Sequence, residues 1–139
     1  MAANPVDAAV GGTELLVDVW DSPAAILDDV AAIRSILEGA AKAAGGKIVQ
    51  SYFHQFVPKG VTGYLLLAES HISIHTWPET GYAAVDIFAC GHMDPRVAAD
   101  TITKGLASGR WEVTCIVRGI VEGSPCREVH GGQRSSTGT

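Results

Sequence analysis

Between Glu69 and Glu79 the chain reads Glu-Ser-His-Ile-Ser-Ile-His-Thr-Trp-Pro-Glu, and its side-chain types alternate. Ile72 and Ile74 fall on one side, and His71, Ser73, His75 and Trp77 on the other. That is the period of a half-buried strand. A solvated strand face needs only bland polar residues. This one gathers imidazoles, hydroxyls (counting Ser70 just before it) and an indole. Hydroxyls and imidazoles are the side chains of nucleophilic attack and proton transfer. A metal reading competes: His71 and His75 share a face, and His54, His92 and Cys90 could gather there around zinc. No carboxylate set or familiar ligand spacing accompanies them, so no metal site is expected.

The elements that must position this stretch follow from punctuation and period. Residues 14 to 20 read as a first strand. Ser22-Pro23 reads as a helix N-cap with proline at the first helical position, and Asp28 and Asp29 suit the positive end of the helix dipole. Ile26, Val30, Ile33, Leu37, Ala41 and Ala44 then recur at steps of three and four, giving one helix that Gly45-Gly46 stops. A strand over residues 47 to 56 follows, then the breaker Pro58-Lys59-Gly60. The apolar run from Gly63 to Ala68 reads as a central strand buried on both faces. After the reactive stretch come a turn at residues 78 to 81, a strand from Tyr82 to Phe88, and a second capped helix beginning at Asp94-Pro95. Trp111 to Val117 reads as the last strand.

Leu15 to Trp20 echoes Ala83 to Phe88, and each is followed by a helix and then a strand. The predicted fold is therefore α+β. It is a two-layer α/β sandwich whose antiparallel sheet carries both helices on one face and contains an internal β-α-β pseudo-repeat. Its other face needs a cover, most simply a second copy of the sheet. The expected layout is a loose segment at 1–12, one domain at 13–118 and a weakly ordered tail at 119–139.

Composition narrows the function classes. A net charge of −5 with no basic cluster argues against nucleic acid. No apolar run approaches the roughly 20 residues that a membrane span needs. The N-terminus lacks the basic and apolar regions of a secretion signal. Cys90, Cys115 and Cys126 are an odd number without CxxC spacing, so a cytoplasmic domain without a disulfide framework is expected. Cys115 and Cys126 read as structural or incidental.

Glu69-Ser70-His71, Ile-His75-Thr-Trp-Pro-Glu79, Gly-Tyr-Ala-Ala-Val-Asp-Ile-Phe and Cys90-Gly91 together closely resemble the small prokaryotic S-adenosylmethionine decarboxylases. Those enzymes are self-cleaving and carry a pyruvoyl group. The resemblance spans roughly residues 13 to 118 and is most specific from Phe53 to Gly91. It implies that Ser70 attacks the carbonyl of Glu69 and shifts the amide to an ester. Elimination then yields a β chain of residues 1–69 and an α chain of 70–139 that begins with the pyruvoyl group. By the same resemblance His75 moves the proton in processing and Thr62 assists it. The covalent pyruvoyl group, with no metal, would bind the substrate amine as a Schiff base and take up the electrons released with CO2. Cys90 would be the general acid. Phe56 and Trp77 would stack on the nucleoside, and Glu79 would bind the ribose hydroxyls. The implied partner is a second copy, making a homodimer of cleaved protomers, and the implied product is the aminopropyl donor for spermidine synthesis.

The sequence also departs from the family pattern. Gly12-Thr13-Glu14 has an acid where a histidine is usual, and Trp20-Asp21-Ser22-Pro23 replaces an aromatic-x-Cys run. Relatives with the same chemistry act on ornithine or arginine, and Glu14 suggests a cationic amino acid as an alternative substrate. A catalytically silent regulatory partner is a further alternative, but it would have no need to keep Ser70, His75 and Cys90 together.

Overall fold

Seven strands form one sheet in the order β2-β3-β4-β5-β1-β6-β7, and every neighbouring pair is antiparallel. The strands are β1 (Gly11–Trp20), β2 (Ile48–Gln55), β3 (Val61–Leu67), β4 (His71–Trp77), β5 (Tyr82–Ala89), β6 (Arg110–Gly119) and β7 (Arg127–Gln133). The helices are α1 (Ala24–Leu27), α2 (Val30–Ala43) and α3 (Pro95–Gly105). The structure, a computed structural model, describes residues 11–68, 70–119 and 127–134, the backbone alone at 127 and 128. Glu69 and Cys126 lie outside the described residues, as do most of the predicted loose N-terminal segment and parts of the predicted tail.

Alternation builds the core. Leu15, Val17 and Val19 of β1, Ile72 and Ile74 of β4, and Val85 and Ile87 of β5 point to one side. There they are buried with Ile33, Leu37 and Ala41 of α2 and Ala98 and Ile102 of α3. The α+β class and the antiparallel sheet are as the sequence predicts. The echoing strands β1 and β5 are neighbours, and the repeat aligns Val17 with Val85, which the register pairs directly. Asp18 and Asp86 thus occupy equivalent places, both on the face without helices.

Three expectations need correction. The first helix is two helices, because Asp28 is drawn out of the turn. Its carboxylate accepts from the Gly60 N–H at 2.8 Å and from Gln55 Nε2 at 3.0 Å. Asp29, rather than Ser22, caps α2, accepting from the N–H groups of Ala31 and Ala32. Ser22 is buried with its hydroxyl 3.4 Å from that of Ser108. Second, β3 is not buried on both faces. Val61, Leu65 and Leu67 are buried, while Tyr64 and Leu66 are 40% and 42% exposed. Third, residues 127–133 of the expected loose tail form β7, which pairs with β6 from Arg110↔Gln133 to Ile116↔Arg127. The ladder is backed by Arg134, whose Nε donates to the Ser108 carbonyl at 2.8 Å and whose guanidinium lies 5.2 Å from the centre of the Trp111 ring. Its Gly-rich composition conceals the strand, and the Trp111 ring packs against Gly132, where a Cβ would lie 2.8 Å from a ring carbon.

Thr76 fastens the α1 end of the sheet. Its buried hydroxyl donates to the Leu27 carbonyl at 2.7 Å and accepts from the Val61 N–H at 2.8 Å. Thr76→Val keeps the shape and leaves both groups unpaired. A loss of about 2 kcal/mol is expected, read as a lower denaturant midpoint with an unchanged m value.

Candidate active site

The face without helices is a grid whose rows are set by register. Leu66, His71, Phe88 and Glu14 form a row near one end. Tyr64, Ser73, Asp86 and Leu16 form the next, and Thr62, His75, Ala84 and Asp18 the third. Trp77 and Tyr82 follow at the far end. The reactive side chains predicted from the alternation of β4 do lie on this one face, with one exception.

The exception is Ser70. Leu67 and Ser70 exchange backbone hydrogen bonds of 2.8 and 3.3 Å, closing the β3–β4 hairpin with two residues between them. Alternation therefore turns Ser70 to the helix side, where its hydroxyl donates to Met93 Sδ at 3.7 Å. Gly45, Gly46, Lys47 and His92 line the small hollow around them. Cys90, half-buried, follows β5 at this same end, since the register runs through His71↔Phe88. Its thiol rests on the backbone of β1. A Cβ on Gly12 would come within 2.9 Å of Cys90 Sγ and 2.5 Å of the Ala89 oxygen. Gly12 is thus required for the thiol to sit there.

His75 is elsewhere. It stands opposite Thr62, whose hydroxyl is 2.9 Å from His75 Nδ1. The ring of Trp77 lies 6.3 Å from that of His75 and 5.3 Å from that of Tyr82. Phe56 extends beyond β2, exposed, edge-on to His54 at 4.6 Å. Glu79 reaches the same end but lines a hollow on the α1 side with Asp28 and Lys59. Ser70 and His75 are five residues apart along an extended strand, about 16 Å at ~3.3 Å per residue. Proton transfer needs about 3 Å. A direct reach from His75 to Ser70 within one chain is therefore not available.

A family model described as S-adenosylmethionine decarboxylase matches residues 13–119. The S-adenosylmethionine decarboxylase proenzyme of Methanococcus maripaludis is 42% identical over 118 residues, 84% of this chain and 97% of that protein. The proenzyme of Prochlorococcus marinus is 44% identical over 108 residues, 77% and 88% of the two chains. The crystal structure of the Aquifex aeolicus adenosylmethionine decarboxylase matches with a TM-score of 0.74 at 43% identity, covering 83% of this chain and 96% of that one.

The chain belongs to the S-adenosylmethionine decarboxylase family.

The resemblance read from residues 53 to 91 is thereby borne out. The departure at Glu14 also gains a physical meaning. Its carboxylate accepts from Arg118 Nη1 at 3.0 Å, and the Arg118 guanidinium lies 5.5 Å from the centre of the Phe88 ring. Glu14 is already paired with a cation, which removes the reason for inferring a cationic amino acid as substrate. Among the described residues no group of three or more His, Cys, Asp and Glu side chains converges as a metal would need. His71 is instead bonded to Asp86, its Nε2 3.0 Å from Oδ2, and the Ser73 hydroxyl donates to Oδ1 of the same carboxylate.

Sequence reasoning passed over Asp86, Met93, Gly12 and the pair formed by Asp18 and Tyr82. The echo of β1 in β5 puts an acid at the same place in each, which is the one signal available for the two aspartates. The Tyr82 hydroxyl donates to Asp18 Oδ1. Burial first, and then the hydrogen bond and negative charge of Asp18, push the Tyr82 phenol up to about 12. The folded protein therefore keeps a proton between pH 10 and 12 that the unfolded chain gives up, and stability falls through that window. In an absorbance titration of the tyrosinates, one of the three tyrosines should titrate last, with a midpoint near 12. Tyr82→Phe should abolish that late step and flatten the loss of stability above pH 10.

Proposed function

We propose that this chain is a pyruvoyl-dependent decarboxylase that forms its own electrophile from Ser70 and converts S-adenosylmethionine to decarboxylated S-adenosylmethionine and CO2. The observation that carries the reading is that Ser70, at the close of the β3–β4 hairpin, and Cys90, which follows β5, lie at the same sheet end in a chain of this family. The backbone bonds between Leu67 and Ser70 hold Ser70 in one place, as an attack by its Oγ on the preceding carbonyl requires. Once formed, the pyruvoyl group supplies an electron sink for the electrons left by CO2. The residues fit such a group: the Leu67 N–H donates to the Ser70 carbonyl at 2.8 Å, and the half-buried Cys90 thiol is close enough to the surface to deliver a proton.

The rest of the site comes from a second copy. Leu16, Tyr64, Leu66 and Trp77 leave the open sheet face apolar and about 40% exposed at each of these residues. Covering it with an identical face favours a homodimer. A two-fold axis lying between the sheets and crossing the strands reverses strand direction. It sets the Ser70–Cys90 end of one protomer against the Thr62–His75–Trp77 end of its partner. The groups that lie about 16 Å apart in one chain then meet between two. In this arrangement Thr62 fixes the ring of His75, and the Ser70 hydroxyl turns from Met93 on the helix side toward the partner's His75 for the proton to move. Phe56 and Trp77 give flat apolar surfaces for a purine, and Glu79, which lines a hollow on the α1 side, has to reach round the end of β4 to offer a carboxylate to ribose hydroxyls. The product is the aminopropyl donor for spermidine synthesis.

Intact mass after cyanoborohydride reduction with S-adenosylmethionine tests the reading. The expected result is two fragments divided at Glu69/Ser70. The second should be lighter by one ammonia than simple hydrolysis would leave it, and should carry the reduced substrate adduct. Ser70→Ala should stay whole and inactive. Cys90→Ala should cut normally yet turn over at least about 100-fold more slowly, or inactivate itself by misplaced protonation. A wild-type chain that stays whole and takes no adduct would overturn the reading.

A further inference from the structure

We infer that Asp86 is a positioning residue that keeps the start of the α chain in the sheet after the Glu69–Ser70 link is cut, an inference resting on the functional reading above. In the uncut chain the start of β4 is held by the chain itself, by the two backbone bonds between Leu67 and Ser70 and by the pairing of His71 with Leu66 and Phe88. Cutting removes the first. Conversion of Ser70 to a pyruvoyl group replaces its nitrogen with a ketone oxygen, ammonia being lost and water taken up. The 3.3 Å bond from the Ser70 N–H to Leu67 therefore goes too. One bond remains at that position, from the Leu67 N–H to the Ser70 carbonyl at 2.8 Å. A strand that begins at a free chain end frays unless it is tied down.

Asp86 supplies the tie. The register sets it directly across from Ser73, with His71 on the diagonal. Each of its carboxylate oxygens takes one of them: Oδ1 the Ser73 hydroxyl, and Oδ2 the His71 Nε2 at 3.0 Å. These are the first and third residues of β4, and a carboxylate gives the stronger, charge-assisted kind of hydrogen bond. The nitrogen of His71 is also the one to which the new terminal group is attached. Holding His71 therefore holds that group at the sheet end where β5 runs on into Cys90. The equivalent acid, Asp18, grips the Tyr82 hydroxyl at the start of β5 in the same manner. Only the Asp86 tie stands beside a cut.

The test is hydrogen exchange followed by mass spectrometry on the peptide covering the start of β4. Wild type and Asp86→Ala are compared with the uncut Ser70→Ala and Ser70→Ala/Asp86→Ala chains. In the cut protein, Asp86→Ala should speed exchange about tenfold, while in the uncut pair the change should stay below about twofold. Turnover should fall through kcat with KM little changed. Equal acceleration in cut and uncut proteins would make Asp86 a general structural residue and overturn the inference, as would no acceleration in the cut protein. If Asp86→Ala does not fold, Asp86→Asn and Ser73→Ala keep the shape, and the same contrast decides. A wild-type chain that never cuts overturns the functional reading and this inference together. A cut chain without the contrast overturns this inference alone.

Discussion

A regular strand cannot bring its own two ends together, and this constraint governs the site. β4 is unbroken from His71 to Trp77, its core side is locked by Ile72 and Ile74, and each residue advances the chain by about 3.3 Å. Ser70 and His75 are therefore held apart by the same packing that makes each of them precise in position. A bulge or bend that closed the distance would turn the isoleucines out of the core. The proposed pairing of two sheets would solve the problem without deforming either, and it would cover the apolar residues that lie between the polar groups of that face.

The charges on that face are managed locally. Glu14 is met by Arg118, Asp18 by the Tyr82 hydroxyl, and Asp86 by His71 and Ser73. Each carboxylate binds a donor on a neighbouring strand, so none has to be stripped of water unpaired. In the proposed dimer these pairs would let an acidic face approach another copy of itself. They also free the site from dependence on any single charge for its shape, because each tie crosses one strand boundary only.

The class of fold was readable because its signals are local: period two in β4, a capped helix at Asp94-Pro95, and the echo of β1 in β5. What failed depended on distant partners. Asp28 leaves the helix because Gly60 and Gln55, some 30 residues away, take its carboxylate. Tyr64 and Leu66 are as apolar as their buried neighbours, and only the layout of layers says that one face of β3 lies open. β7 hides among glycines that let its backbone approach Trp111. In the site, the residue types at 70, 75 and 90 were legible from the motif. The separation of Ser70 from His75 required the register, as did the meeting of Asp86 with His71 and Ser73.

The most direct measurement is co-expression of differently tagged Ser70→Ala and His75→Ala chains, followed by intact mass and an assay of the purified mixed dimer. If the site is shared between subunits, the mixed dimer holds one site with both Ser70 and His75 intact. The His75→Ala chain should then be cut at Glu69/Ser70, the Ser70→Ala chain should stay whole, and roughly half of wild-type turnover should return. A mixed dimer in which both chains stay whole and inactive would contradict the account, since the two residues would then have to act within one chain.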